Sequence, residues 1–159
     1  MNENVETPKS FTALWSLRSL LGTGIHRELA KRKGFVPDDV YLTLGVSPEQ
    51  ASLSDFDLAK ELEIQLAKAE SKVYGETLVS KKLKELAIPL ALSDLEVEIL
   101  HLMVIHDLDG GFKKCMNLYQ EVSMTDFYEL LGLMLNIPVE KIHQVLLPDA
   151  TLNRSGLLD

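Results

Sequence analysis

The chain lacks three things that would each narrow its function class. It has a single cysteine, Cys115, in 159 residues. That excludes an internal disulfide framework and suits a reducing cytosol. It has no apolar run near the roughly 18 to 20 residues needed to cross a bilayer. It is also short of positive charge, with 16 Lys and Arg against 24 Asp and Glu, a formal net charge of −8. Such a balance argues against general affinity for nucleic acid or anionic membrane. The opening residues Met1-Asn2-Glu3-Asn4-Val5-Glu6 are polar and acidic, without the basic and apolar stretches of an export signal. A cytoplasmic location is therefore expected. Asn153-Arg154-Ser155, formally a glycosylation sequon, then reads as a chance match.

What is present is globular. Hydrophobic residues make up 46% and charged residues 25% of the chain, ordinary values for a packed domain. The length suits one domain or two small ones. No internal repeat or low-complexity stretch is visible.

Helical spacing dominates. Residues 1–10 read as a flexible tail. Phe11 to Lys33 reads as an amphipathic helix carrying Phe11, Leu14, Trp15, Leu17, Leu21, Ile25 and Leu29, bent at Gly22-Thr23-Gly24. It ends in Arg27, Lys31, Arg32 and Lys33 before Gly34, a helix C-terminal signature. After the turn signal Pro37-Asp38-Asp39, Leu42, Leu44 and Val46 alternate, a spacing compatible with a short strand or an extended connection. Ser47-Pro48-Glu49-Gln50 is a capping-box pattern with Pro at the first helical position. Ser54 is expected to cap a longer helix, about 55–73, with the stripe Phe56, Ala59, Leu62, Leu66, Ala69 and Val73. A further helix, about 77–87, carries Leu78, Val79, Leu83 and Leu86, with Lys81, Lys82 and Lys84 outward. Ile88-Pro89 is expected to break it.

The pattern sharpens from Ser93. The capping box Ser93-Asp94-Leu95-Glu96 opens a helix bearing Leu95, Ile99, Leu102, Met103, Val104 and His106. Asp107-Leu108-Asp109-Gly110-Gly111 is expected to end it. Another helix, 112–122, sets Phe112, Cys115, Met116 and Tyr119 on one side. A helix from about Thr125 to Leu135, the turn Asn136-Ile137-Pro138 and a helix from Val139 to Leu147 then form a helix-turn-helix, with Leu130, Leu131 and Leu135 packing on Ile142 and Val145. Leu152 to Leu158 reads as the start of a wing strand that stops at Asp159 in mid-pattern, as in a piece of a longer polypeptide. The fold class expected is all-α: a helical region over 11–90, followed by a winged-helix-like subdomain over 91–159 whose wing is truncated.

A DNA-reading third helix presents Arg, Lys, Asn or Gln to base edges. This one offers Glu140, Lys141, His143 and Gln144, of which Lys141 alone is a firm cation. From Ser93 onward four Lys and Arg (Lys113, Lys114, Lys141, Arg154) face eleven Asp and Glu, a balance of −7, the wrong sign for phosphate. A protein partner fits the charge better, with Glu140, Lys141, His143, Gln144 and Arg154 as the candidate interaction surface. The densest positive cluster is His26, Arg27, Lys31, Arg32 and Lys33. It reads either as an anion or nucleic-acid contact or, the simpler reading, as cations complementing the negative end of a helix.

Catalytic and metal patterns fail on spacing or company. His101 and His106 are five apart, which splays their rings by roughly 140° on a helix, against the i, i+3 or i, i+4 spacing of zinc ligands. One is expected on the apolar side and one at the helix end. Asp107-Leu108-Asp109-Gly110 lacks a calcium loop's final carboxylate, since position 12 is Leu118. Gly22-Thr23-Gly24 lacks the Gly-Lys-Ser/Thr ending of a phosphate loop. Asp38-Asp39 and Glu61-Glu63 sit in polar surroundings where nothing separates their acidities. Cys115 reads as a buried small hydrophobe. No catalytic residue, metal or cofactor is expected, and a small-enzyme reading has no constellation behind it.

The stretch from Leu92 to Leu158 resembles the winged-helix domain that precedes the ATPase module in a group of large bacterial AAA-type ATPases. The matching runs are Leu92-Ser93-Asp94-Leu95-Glu96-Val97-Glu98-Ile99-Leu100, Leu108-Asp109-Gly110-Gly111-Phe112, and Leu147-Pro148-Asp149-Ala150-Thr151-Leu152-Asn153-Arg154-Ser155-Gly156-Leu157-Leu158. The last is the most specific. The resemblance covers roughly the C-terminal 40% of the chain. No nucleotide-binding loop, second acidic motif or arginine finger lies within it. The resemblance therefore implies a non-catalytic N-terminal region that recruits a protein substrate or adaptor, or contacts the ATPase ring. The alternative is a stand-alone winged-helix regulator of DNA, in which a dimer gathers Arg27, Lys31, Arg32 and Lys33 with Lys141 on one face.

Overall fold

A computed structural model describes residues 8–32, 36–72, 78–123 and 126–146, with side chains described from 11 to 119 and from 126 to 146 within those spans. Ten helices make up the described residues, and no strand occurs among them. The class is all-α, as the periodicity implies. The expected wing lies outside the described residues, as do Lys33, Val73, Leu147 and Arg154.

Among the described residues α1 (Pro8–Gly22) comes first, so Pro8, Lys9 and Ser10 of the expected tail are helical; α2 (Ile25–Lys31) follows, and the bend falls where the glycines placed it. Gly24 adopts φ 79°, a left-handed conformation that costs glycine little. Helix α1 is not amphipathic in the expected sense, because it is buried on nearly every side. Leu14, Leu17 and Leu20 face one cluster and Trp15 another, while Thr12, Ser16 and Ser19 are buried between neighbouring helices. Small hydroxyl residues let helices approach closely. Ser19 satisfies its hydroxyl on the Ser16 carbonyl of its own helix, at 3.1 Å. Helix α1 thereby packs on α2, α3, α5, α8 and α9.

Next come α3 (Asp38–Thr43), α4 (Pro48–Ala51) and α5 (Leu58–Ser71). The alternation of Leu42, Leu44 and Val46 does not make a strand. Val40, Tyr41 and Leu44 are buried at helical spacing and Leu42 points out, 63% exposed. Asp38 and Asp39, in the first turn of α3, favour its positive end. Ser47 caps α4 by accepting from the Gln50 N–H, with Pro48 at the first position. Helix α5 starts later than Ser54 indicates. Asp57 is its cap, accepting from the Lys60 N–H at 3.1 Å, and the buried stripe is Leu58, Leu62 and Ala69.

Helix α6 (Leu78–Leu90) runs through Ile88-Pro89 instead of stopping there. The proline sits one residue from the end, where little helix remains to disrupt. Ala91, at φ 55°, then turns the chain, and the Leu92 N–H closes on the Ala87 carbonyl at 2.9 Å. Helix α6 packs on α7 and buries Leu83.

Helix α7 (Asp94–Leu108) opens with the expected capping box. Ser93 Oγ accepts from the Glu96 N–H and Glu96 Oε1 accepts from the Ser93 N–H, a reciprocal pair that satisfies two orphan donors. Asp109 alone separates α7 from α8 (Gly110–Ser123). Its N–H bonds the Ile105 carbonyl, and its Oδ1 accepts from the Phe112 N–H at 3.0 Å, so one residue ends one helix and caps the next. Phe112, Cys115, Met116 and Tyr119 are all buried on one side of α8, as their spacing indicates. Helices α9 (Phe127–Leu135) and α10 (Val139–Val145) complete the described chain.

Two cores result. The first joins residues of α1–α5 with Cys115 and Tyr119 of α8. The second joins Trp15 and Leu83 with residues of α7–α10, including Leu131, Met134 and Ile142. Neither core respects a line drawn at residue 90, because α1 serves both and α8 reaches back to α3.

Candidate interaction surface

The α9–α10 pair is built from its turn. Asp126 caps α9 through the Tyr128 N–H at 2.7 Å, one residue beyond the expected start at Thr125. Gly132 lies where the turn folds back. A Cβ there would stand 2.8 Å from the Ile137 carbonyl oxygen, so only glycine allows the approach. Asn136 takes the left-handed conformation at φ 56°, a role asparagine fills well. The Ile137 N–H then bonds the Gly132 carbonyl at 2.9 Å. Pro138, at φ −56°, precedes α10, and its carbonyl accepts from the Lys141 N–H at 3.0 Å. Leu131, Leu135, Ile142 and Val145 meet in the second core, as the sequence pattern indicates.

With Ile142 fixed inward, Glu140, Lys141, His143 and Gln144 all fall on the exposed side of α10. His143 stacks on Tyr128 of α9, with ring centroids 4.8 Å apart and planes at 56°. The structure thus brings together four of the five residues proposed as an interaction surface and adds Tyr128, which sequence reasoning missed. The i to i+3 company of Tyr128 with Leu131, and its place at the first turn of α9, were the available signal. The fifth residue, Arg154, lies outside the described residues. Around this face Asp126, Glu129 and Glu140 outnumber Lys141.

Beside this face the turn encloses an open hollow of about 480 Å³, lined by Glu129, Gly132, Leu133, Asn136, Ile137, Pro138 and Val139. Its wall is mainly apolar, with one carboxylate.

The pair is held to the body by Arg18 of α1, which sequence reasoning did not single out. Its Nε and Nη2 donate to both carboxylate oxygens of Glu70 on α5, at 2.7 and 2.9 Å, and its Nη1 donates to the Met134 carbonyl of α9 at 2.9 Å. The Arg18 hydrogen bonds hold the Glu70 carboxyl below its usual acidity range. One guanidinium therefore ties α1, α5 and α9 together. The planar fork of arginine makes this geometry available.

The basic cluster divides. Arg27, Lys31 and Arg32 are exposed, and Lys31 pairs with Glu28 at 3.5 Å. His26 does not belong to that surface: it is 6% exposed, with Nε2 3.8 Å from a Glu63 carboxylate oxygen. Its position on the Ile25–Leu29 side of α2 turns it inward. Lys33 lies outside the described residues.

The other histidines separate as their spacing implies. His101 is 7% exposed and meets the rings of Phe11 and Trp15 edge-on at 5.3 and 5.4 Å. Burial lowers its basicity, with Lys84 adding to the effect. His106 lies near the helix end, 3.5 Å from Asp107. Among the described residues no group of three or more His, Cys, Asp or Glu side chains is disposed to hold a metal ion. Cys115 is fully buried, and burial pushes its thiol up to about 11, amid the hydroxyls of Tyr119, Ser16 and Thr43. Such a thiol stays protonated at neutral pH, and the thiolate is the nucleophilic form. A second cleft, about 340 Å³, is lined by Thr12, Asp39, Leu42, Thr43, Asp109 and Gly111. Asp39 there is paired with Lys114 at 2.6 Å, and Asp109 with the α8 backbone. Both carboxylates thus have structural work.

No helix among the described residues is long and apolar enough to cross a membrane. Comparison with protein-family models, with curated proteins and with solved structures finds no match to this chain.

Proposed function

We propose that this chain is the non-catalytic N-terminal region of an AAA-type ATPase and serves as a protein-interaction and substrate-recruitment module, with the exposed face of α10 as its contact surface. The observation that carries the reading is that face itself. Glu140, Lys141, His143 and Gln144 stand exposed beside a Tyr128–His143 stack, with more carboxylates than cations around them. Tyrosine and histidine offer apolar area with polar edges, a composition common at protein interfaces. A net acidic surface is repelled by phosphate backbones. The membership in an ATPase rests on the resemblance of Leu92 to Leu158, and the wing and its Arg154 belong to the same proposal, as does a cytoplasmic location.

The DNA-regulator alternative needs Lys141 to act with Arg27, Lys31 and Arg32. A salt titration with duplex DNA separates the two readings. Protein recruitment expects no binding tighter than micromolar at low salt and no sequence preference, whereas nanomolar, strongly salt-dependent binding overturns it. The ATPase assignment is checked by the reading frame past Asp159. A frame carrying a nucleotide-binding loop supports it, and a stop codon directly after Asp159 removes it.

A further inference from the structure

Helix α6 shows solvent a face that no packing need explains. It buries Leu83 against α7, yet Ile88 is 85%, Leu78 70% and Leu86 43% exposed. Lys81 lies two turns before Ile88, about 10 Å along the axis, and projects to the same side. Leu78, Lys82 and Glu85 fall on that side too, with Lys84 and Leu86 exposed on its two flanks. In a chain of net charge −8, this is a mildly basic face carrying two large aliphatic side chains, Leu78 and Ile88. The hollow at the α9–α10 turn is its opposite. Gly132, Leu133, Ile137, Pro138 and Val139 line it, and Glu129 stands in its wall, with Glu140 next to Val139 in the chain.

We propose that the α6 face of one copy of this chain docks in the α9–α10 hollow of a second copy, Ile88 entering the apolar lining and Lys81 and Lys82 meeting Glu129 and Glu140. The occupant is argued from complementarity of sign and apolarity: the molecule displays a mildly basic face with exposed aliphatic side chains and an apolar hollow with a carboxylate in its wall, on different elements. None of the four exposed α10 residues assigned to protein recruitment lines the hollow, and Glu140 alone is used by both contacts, so this proposal goes beyond that reading and does not rest on it. Two different surfaces meet, so the contact is heterologous and propagates head to tail, closing into a ring or extending. A single helix of 13 residues offers fewer contacts than the roughly 20–30 residues a side of a standard interface, so the association is weak. At physiological ionic strength the Debye length is about 8 Å, which screens repulsion between two acidic bodies more than it weakens pairs in contact.

Sedimentation equilibrium on the whole chain at physiological salt, from about 10 μM to about 1 mM, tests it. The wild-type weight-average mass is expected to rise with concentration above the 17.8 kDa of one copy. Ile88→Asp and Glu129→Lys each remove the rise, weakening association more than tenfold. Both positions are exposed, and circular dichroism confirms that each variant is folded. Lys81→Glu with Lys82→Glu acts as a second disruption of the ridge that leaves Ile88 in place. The decisive arm mixes Ile88→Asp with Glu129→Lys at equal concentration. Each retains one intact surface, so the mixture forms dimers and nothing larger. A wild-type chain monomeric to 1 mM, a variant associating like wild type, or a mixture that stays monomeric overturns the proposal.

Discussion

The two cores differ in what fills them. The first packs Leu14, Leu17, Leu20, Leu44, Leu58 and Leu62 with the tyrosines Tyr41 and Tyr119, around a seam of buried thiol and hydroxyl at Cys115 and Tyr119. The second gathers rings: Trp15 and Phe112 lie 5.7 Å apart, and His101 and Phe11 close on Trp15. Leucine packing is tolerant of direction, whereas ring packing is directional. Helix α1 belongs to both, with leucines on one flank and Trp15 on the other. The difference teaches that one helix can join two unlike packings if it gives up its solvent face. The molecule is then expected to unfold as one unit even though its core is not continuous in character.

The largest effects test that joint. Trp15→Ala is expected to cost about 3–5 kcal/mol and Leu62→Ala about 2–5 kcal/mol, each read by urea unfolding followed by circular dichroism. Both are expected to shift one cooperative transition. A Trp15→Ala chain that unfolds in two steps, with the first core surviving, would falsify the shared-helix account.

Next in size is the turn. Gly132→Ala forces a Cβ against the Ile137 carbonyl oxygen and is expected to cost about 1–3 kcal/mol, as overpacking does. Thermal unfolding measures it, and a neutral result means the turn relaxes more freely than its hydrogen bonds suggest.

The Arg18 tie is smaller. Its bond to the Met134 carbonyl contributes about 1–2 kcal/mol, and its Glu70 pair adds less because that carboxylate is 44% exposed. Arg18→Ala also has a pH signature. The folded acidity constant of Glu70 lies below the usual 4.5, so the stabilisation is full above pH 4.5 and is lost as pH falls through the folded value. The gap between the stability curves of wild type and Arg18→Ala is expected to narrow in acid by the Glu70 share, leaving the Met134 share in place, and parallel curves would contradict the assignment.

The smallest effect separates the ring core from the leucine core by acidity. His101 is less basic when folded than its usual 6.5. The unfolded chain therefore binds more protons there, and stability is lost as pH falls below about 6.5 toward the folded value. His101→Gln is expected to flatten that limb while Leu62→Ala leaves its slope unchanged, as urea midpoints at pH 8 and pH 5.5 will show.

Much of this was legible in the residues. Ser93 with Glu96, the Asn136-Ile137-Pro138 turn and the Phe112, Cys115, Met116, Tyr119 stripe act within a few residues of themselves, and each appears as its spacing implies. The errors have a common cause. Leu42, Leu44 and Val46 alternate, but Val40, Tyr41 and Leu44 found partners at helical spacing, so tertiary burial chose the helix. Asp57 displaced Ser54 as the α5 cap because the buried stripe of Leu58 and Leu62 set where the helix begins. Pro89 sits too near a helix end to break it. His26 looked like one more surface cation until packing turned it inward. Arg18 spans 52 residues to Glu70 and 116 to Met134, and no local pattern encodes such a reach.

By itself the sequence determined most of the helices, the Ser93 capping box, the Asn136 turn and the acidic character of the α10 face, because these follow from periodicity, backbone preference and charge. The tertiary structure alone decided that α1 is buried on nearly every flank, that Leu78, Leu86 and Ile88 stay in solvent while Leu83 does not, and that Arg18 locks three helices together. Those outcomes depend on which faces meet. Burial rewards total apolar area and does not specify which of two apolar faces a helix turns inward.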